Sequence, residues 1–108
     1  MMQADENIAV VYWSINPFRG DKFEDAWRPA ARAALDYGAT SWMLFRSQDD
    51  PLSFIQLASF PTKKDFDRYW FSEEIAEARA AASGLYQVPV IPKWLRVVDS
   101  GELARVES

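Results

Sequence analysis

The chain contains no histidine and no cysteine. Those side chains most often carry chemistry near neutral pH, so any reaction falls to Tyr, Trp, Asn, Arg or carboxylates, or to a substrate that needs little help. Disulfides and thiolate metal sites are excluded, and without imidazole a zinc site is not expected. No apolar run approaches the roughly 18–20 residues needed to cross a bilayer. The opening MMQADEN is acidic and polar, the reverse of a secretory signal. Basic surface is scarce too: 12 Lys and Arg stand against 16 Asp and Glu, a net charge of −4. The one adjacent basic pair, Lys63-Lys64, is followed at once by Asp65 and Asp67. Nucleic acid is therefore not an expected partner, because phosphate binding needs a concentrated basic surface. These absences leave the expectation of a cytoplasmic protein that uses no metal or cofactor and does not enter a membrane.

What is present is aromatic: five Trp, four Tyr and seven Phe in 108 residues, within a composition that is 49% apolar. That is enough for one domain with a real core, expected over residues 8–98, followed by a polar tail over 99–108.

Ile8 to Ile15 (IAVVYWSI) is β-branched and aromatic and stops at Asn16-Pro17, so it reads as a first strand. Asp21 and Glu24 have capping-box spacing, and Phe23, Trp27, Ala30, Ala31 and Ala34 form one stripe of a helix ending at Gly38. Pro29 lies inside that helix and should bend it. Thr40 to Arg46 and Leu52 to Phe60 read as strands joined by the turn Ser47-Gln48-Asp49-Asp50-Pro51, an antiparallel hairpin. Thr62 opens a second helical region, with a break expected near Phe71 and a fresh start at Ser72 that runs to Gly84. Pro89 and Pro92 keep Leu85–Pro92 from being a central strand throughout, and Lys93 to Asp99 is the last strand.

The order β-α-β-β-α-β is a split βαβ arrangement, an α+β ferredoxin-like fold with a four-stranded antiparallel sheet. Both strand faces are apolar. Val10 and Tyr12 oppose Val11, Trp13 and Ile15 on the first strand; Phe54, Gln56, Ala58 and Phe60 oppose Ile55, Leu57 and Ser59 on the third. Two helices cover one face, so the other is expected to pack against a second copy in a homodimer.

The strand followed by Pro17-Phe18-Arg19-Gly20-Asp21-Lys22-Phe23, the hairpin FRSQDDPLSFIQLASF and the segment KKDFDRYWFSEEI resemble the dimeric α+β barrel superfamily. Within it they resemble the antibiotic biosynthesis monooxygenase-like domains, from about Ile8 to Val98. The resemblance implies a pocket between sheet and helices in each subunit, with two sheets closing a barrel. It also implies a range of roles: cofactor-free oxygenases of polycyclic phenols, haem-degrading enzymes, small isomerases. Where many members carry His in the second helix this chain has Tyr69, and where many carry an acid late in strand three it has Ser59. The haem-degrading branch uses an Asn-Trp-His set. Trp70 or Tyr69 would supply its aromatic member, but no His exists to ligate iron.

Phe66, Tyr69 and Trp70 fall at i, i+3 and i+4, on one helix face. They make either a pocket wall on which an aromatic substrate stacks or simply the packing of that helix onto the sheet. Asn16 and Arg19, at the mouth of the first strand, are candidates to stabilise an enolate or peroxy oxygen and to attract an anion, against the plain reading of a turn and a solvated cation. Gln56 is a polar residue on an apolar strand, either a pocket hydrogen-bond donor or an interface contact. Tyr86 is a further candidate ligand contact, though Tyr12, Trp13, Trp42, Tyr86 and Trp94 are rings that more often anchor a core or a dimer interface. Arg46 and Arg96, on apolar strands, are expected to reach solvent or an acidic partner. The adjacent pairs Asp49-Asp50 and Glu73-Glu74 lack the facing geometry of paired acid–base catalysis.

The leading function is a cofactor-independent monooxygenase acting on a small aromatic or polycyclic phenol. Its catalytic residues would be Asn16, Tyr69 and Trp70, and its ligand-binding residues Arg19, Gln56, Phe66 and Tyr86. The alternative is a non-enzymatic dimer that holds an apolar small metabolite, and an isomerase or cyclase of polyketide-like compounds stands behind both.

Overall fold

A computed structural model describes residues 2–103. The chain forms β1 (Asn7–Ser14), α1 (Gly20–Arg32), β2 (Ser41–Arg46), β3 (Ser53–Ser59), α2 (Lys63–Trp70), α3 (Glu73–Ala81) and β4 (Lys93–Arg96), with a 3-10 turn over Ala33–Tyr37. The four strands make one antiparallel sheet in the order β2-β3-β1-β4, the expected α+β ferredoxin-like architecture. β1 is an inner strand, paired with β3 from Ile8 to Ser14 and with β4 over Asn7 to Val10.

Local chemistry explains most of the boundaries. The Thr62 hydroxyl accepts from the Asp65 N–H at 3.2 Å, and the Ser72 hydroxyl accepts from the Ile75 N–H at 3.2 Å, so α2 and α3 are separately capped around Phe71. This is the break the sequence predicts. In the β2–β3 turn the Ser47 hydroxyl accepts from the backbone of Asp49 and Asp50. Gly38 closes the 3-10 turn at φ +101°, a conformation a Cβ disfavours.

Three expectations need correction. The capping box does not form: α1 begins at Gly20 with no side-chain cap, and Asp21 and Glu24 instead pair with Arg46. The helix expected to run to Gly38 ends at Arg32, three residues past Pro29, and its continuation tightens to 3-10 geometry. The last strand ends at Arg96 rather than Asp99, and only a single bridge, Ile15 to Tyr86, joins the 85–92 segment to the end of β1. The tail expected over 99–108 lies partly outside the described residues.

The core lies on one side of the sheet. Ala9, Val11, Trp13, Phe54 and Ala58 face Phe23, Trp27, Ala30, Ala31, Phe66, Tyr69, Trp70 and Ile75 of the helices. Tyr12, Met43, Phe45 and Leu95 belong to the alternate residues, on the opposite face, and stand 52%, 40%, 46% and 53% exposed.

Candidate functional site

Helix α2 buries Phe66, Tyr69 and Trp70 together, as their spacing requires, but the three do different things. Tyr69 points into the interior. Its hydroxyl donates to the Ala30 carbonyl at 2.7 Å and accepts from the Gln56 side-chain amide at 2.9 Å. The Gln56 carbonyl oxygen in turn accepts from the Trp27 indole N–H at 2.8 Å. This relay ties α1, β3 and α2 into one polar chain inside an apolar core, where each bond made avoids the cost of an orphaned group. Burial pushes the Tyr69 phenol above the ordinary tyrosine range, opposed by the hydrogen bond from Gln56, so the hydroxyl stays protonated at neutral pH.

Phe66 and Trp70 form a wall. Their rings stack at 5.8 Å and 18°, and Trp94 of β4 meets Phe66 edge-on at 5.5 Å. With Pro92, Phe71 and the rim residues Lys63 and Asp67 they line a cleft of about 180 Å³ between α2 and β4. The Arg79 guanidinium lies 4.5 Å over the Trp70 ring and donates to its carbonyl at 2.6 Å, holding the indole against α3.

Behind Trp70 is a box of rings. Trp13 packs against Trp70 at 6.0 Å, Trp27 at 4.6 Å, Phe23 at 5.2 Å and the edge of Tyr86 at 4.9 Å. Trp13 is 1% exposed, and its indole N–H has no acceptor among the described residues. A buried donor without a partner is uncommon and calls for an explanation.

The structure thus brings together Phe66, Trp70, Tyr69, Gln56 and Tyr86, while Asn16 and Arg19 sit apart. The Asn16 amide donates to the Gly84 carbonyl at 2.7 Å and its backbone N–H to Leu85 at 2.8 Å, stapling the end of β1 to the segment after α3. Arg19 is exposed at the start of α1, and neither residue lines the cleft. Of the two strand arginines, Arg46 meets Asp21 and Glu24 and Arg96 meets Asp5, the acidic partners expected of them. Sequence reasoning missed Trp94, Lys63, Asp67 and Arg79 as parts of the site. Their places in the site follow from the docking of α2 beside β4 and the turn into α3, which spacing does not encode. Among the described residues no group of three or more acidic side chains is placed to hold a metal ion.

No family model matches the sequence, and no curated protein matches it at the sequence level. Solved structures do match. A variant of SnoaB, a cofactor-independent oxygenase from Streptomyces nogalater, is 17% identical, with 90% of this chain and 97% of that chain covered and a TM-score of 0.74. An antibiotic biosynthesis monooxygenase is 15% identical over 85% of this chain and 98% of that chain, also with a TM-score of 0.74. Rv0793 from Mycobacterium tuberculosis is 15% identical over 89% and 98%, with a TM-score of 0.72. At these identities what is shared is the fold, and it is the fold of the antibiotic biosynthesis monooxygenase-like proteins. No helix of the described residues is long and apolar enough to cross a membrane.

Proposed function

We propose that the protein is a cofactor-independent monooxygenase that takes a small, electron-rich phenolic aromatic into the cleft between α2 and β4. The observation that carries this reading is the aromatic wall of Phe66, Trp70 and Trp94 that lines the cleft. Flat rings favour a flat substrate. A deprotonated phenol transfers an electron to O2 itself. The radical pair combines at a ring carbon as a hydroperoxide, and loss of water leaves a quinone carbonyl, one oxygen atom retained and the other released. The chain's own residues then need only bind, orient and exclude water. Trp70 stacks on the substrate. Lys63 at the rim favours the phenolate, a part for which Asn16 and Arg19 are less well placed. Tyr69 and Gln56 hold the wall rigid from behind rather than touch the substrate.

A second reading follows from three polar side chains that already have protein partners: Tyr69 with Ala30, Gln56 with Trp27 and Asn16 with Gly84. With these groups already satisfied, the cleft suits a protein that holds an apolar metabolite without converting it. In both readings two copies pair through the open sheet face. An oxygen electrode separates the two. With a 1,8-dihydroxyanthrone substrate and no added cofactor, the oxygenase consumes O2 in proportion to protein, and Trp70→Phe lowers the rate at least tenfold. Substrate retained on the protein with no uptake above background supports the binder.

A further inference from the structure

We propose that a second groove, between α1 and β2, binds a small amphipathic carboxylate. Its volume is about 300 Å³, and it is lined by Glu24, Arg28, Arg32, Trp42, Leu44, Arg46 and Phe54. That size lies at the small end of the roughly 300–1,000 Å³ typical of ligand pockets. Trp42, Leu44 and Arg46 alternate on β2 toward the helices, while residues 24, 28 and 32 recur every four positions along one flank of α1. The result is an apolar floor under three guanidinium groups and one carboxylate, in a chain whose overall charge is −4.

The arginines are arranged rather than merely exposed. Arg46 donates through Nε to the Pro51 carbonyl at 2.8 Å and through Nη1 to Asp21 at 2.7 Å, and its guanidinium lies 5.3 Å from the Phe54 ring centre. Gly20 makes this possible, because a Cβ there would collide with the Arg46 guanidinium and approach the Pro51 carbonyl to 3.0 Å. Glu24 bridges two arginines, with Oε2 at 3.0 Å from Arg28 and Oε1 at 3.3 Å from Arg46. The protein's own carboxylate therefore already occupies part of the groove in the manner expected of a ligand. Arg32, one turn beyond Arg28, meets no carboxylate of the described residues within salt-bridge distance. Arg32 and Arg28 form the fork for an incoming carboxylate, with Trp42 and Phe54 against its apolar body. The groove is at the β2 edge of the sheet, opposite the β4 edge where the Trp70 cleft lies, and on the helical side, so pairing through the open sheet face leaves it accessible.

Equilibrium dialysis with 2-naphthoate tests this, using the neutral 2-naphthylmethanol as control. The expected result is one naphthoate per chain, with the alcohol bound at least tenfold more weakly. Arg32→Ala lowers affinity about tenfold, as loss of one charged hydrogen-bonding partner does. Arg28→Ala, a second variant on the exposed helix flank, also weakens binding, whereas Trp94→Ala leaves it unchanged. Four results overturn the proposal: no retention of naphthoate at millimolar concentration, equal binding of the alcohol, affinity indifferent to both arginine substitutions, or loss in Trp94→Ala with Arg32→Ala intact. The last would move the ligand to the other cleft. Because naphthoate is not an oxidisable phenol, none of these outcomes is read through oxygen turnover.

Discussion

Tyr69 links the interior to pH. Burial favours its neutral form, so the folded chain keeps the proton where the unfolded chain, with an ordinary tyrosine pKa of about 10, has begun to lose it. The stability this contributes is fully present below about pH 10 and is lost as pH rises toward the raised folded value, at up to about 1.4 kcal/mol per pH unit. Urea unfolding of wild type and Tyr69→Phe across that range should show the steeper alkaline loss in wild type, and equal slopes would contradict the burial argument. At neutral pH the same substitution should cost about 1–3 kcal/mol, because the Gln56 amide and the Ala30 carbonyl each lose a partner. A variant as stable as wild type would mean water replaces the hydroxyl. The spacing of Phe66, Tyr69 and Trp70 makes their shared face legible in the sequence. That Tyr69 turns to Gln56 while Trp70 turns to a cleft is not legible, since it depends on where α1 and β4 dock around α2.

At the scale of elements, the break between α2 and α3 sets the site. It lets α3 fold back so that Arg79 covers Trp70, and Ser72 holds it through its hydroxyl bonds to Ile75 and Tyr69. Ser72→Ala should destabilise the protein by about 1 kcal/mol, the usual cost of a lost N-cap. It should also loosen Trp70, read as a red shift in tryptophan emission; unchanged stability and emission would show that the break is held by other contacts. Both helix starts were legible because Thr62 and Ser72 carry capping chemistry in plain view. The start of α1 was not, because Asp21 and Glu24 have capping spacing yet are drawn to Arg46, a residue 22 or more positions away. The shortness of β4 was hidden for a similar reason. The apolar residues of KWLRVVD suit a strand throughout, but pairing with β1 reaches only from Lys93 to Arg96.

At the scale of the molecule, the alternation on β1 and β3 gives two apolar faces; the helices cover one, and on the other Ile8 and Val10 are buried while further residues of that face stay exposed. Tyr12, Met43, Phe45 and Leu95 remain on the other, a patch of the kind that soluble chains bury against a partner. Sedimentation should give a dimer for wild type and a folded monomer for Phe45→Asp combined with Leu95→Asp. A wild-type monomer at micromolar concentration would refute the pairing.

The proposed function stands or falls on whether the aromatic cleft supports oxygen chemistry without a cofactor. Turnover of the phenolic substrate under 18O2, followed by mass spectrometry of the product, tests it most directly. The account predicts one labelled oxygen atom per quinone formed, at a rate proportional to protein and unchanged by a metal chelator. Substrate recovered unoxidised from the protein, or label entering no faster than without it, would contradict the account and leave the cleft as a binding site alone.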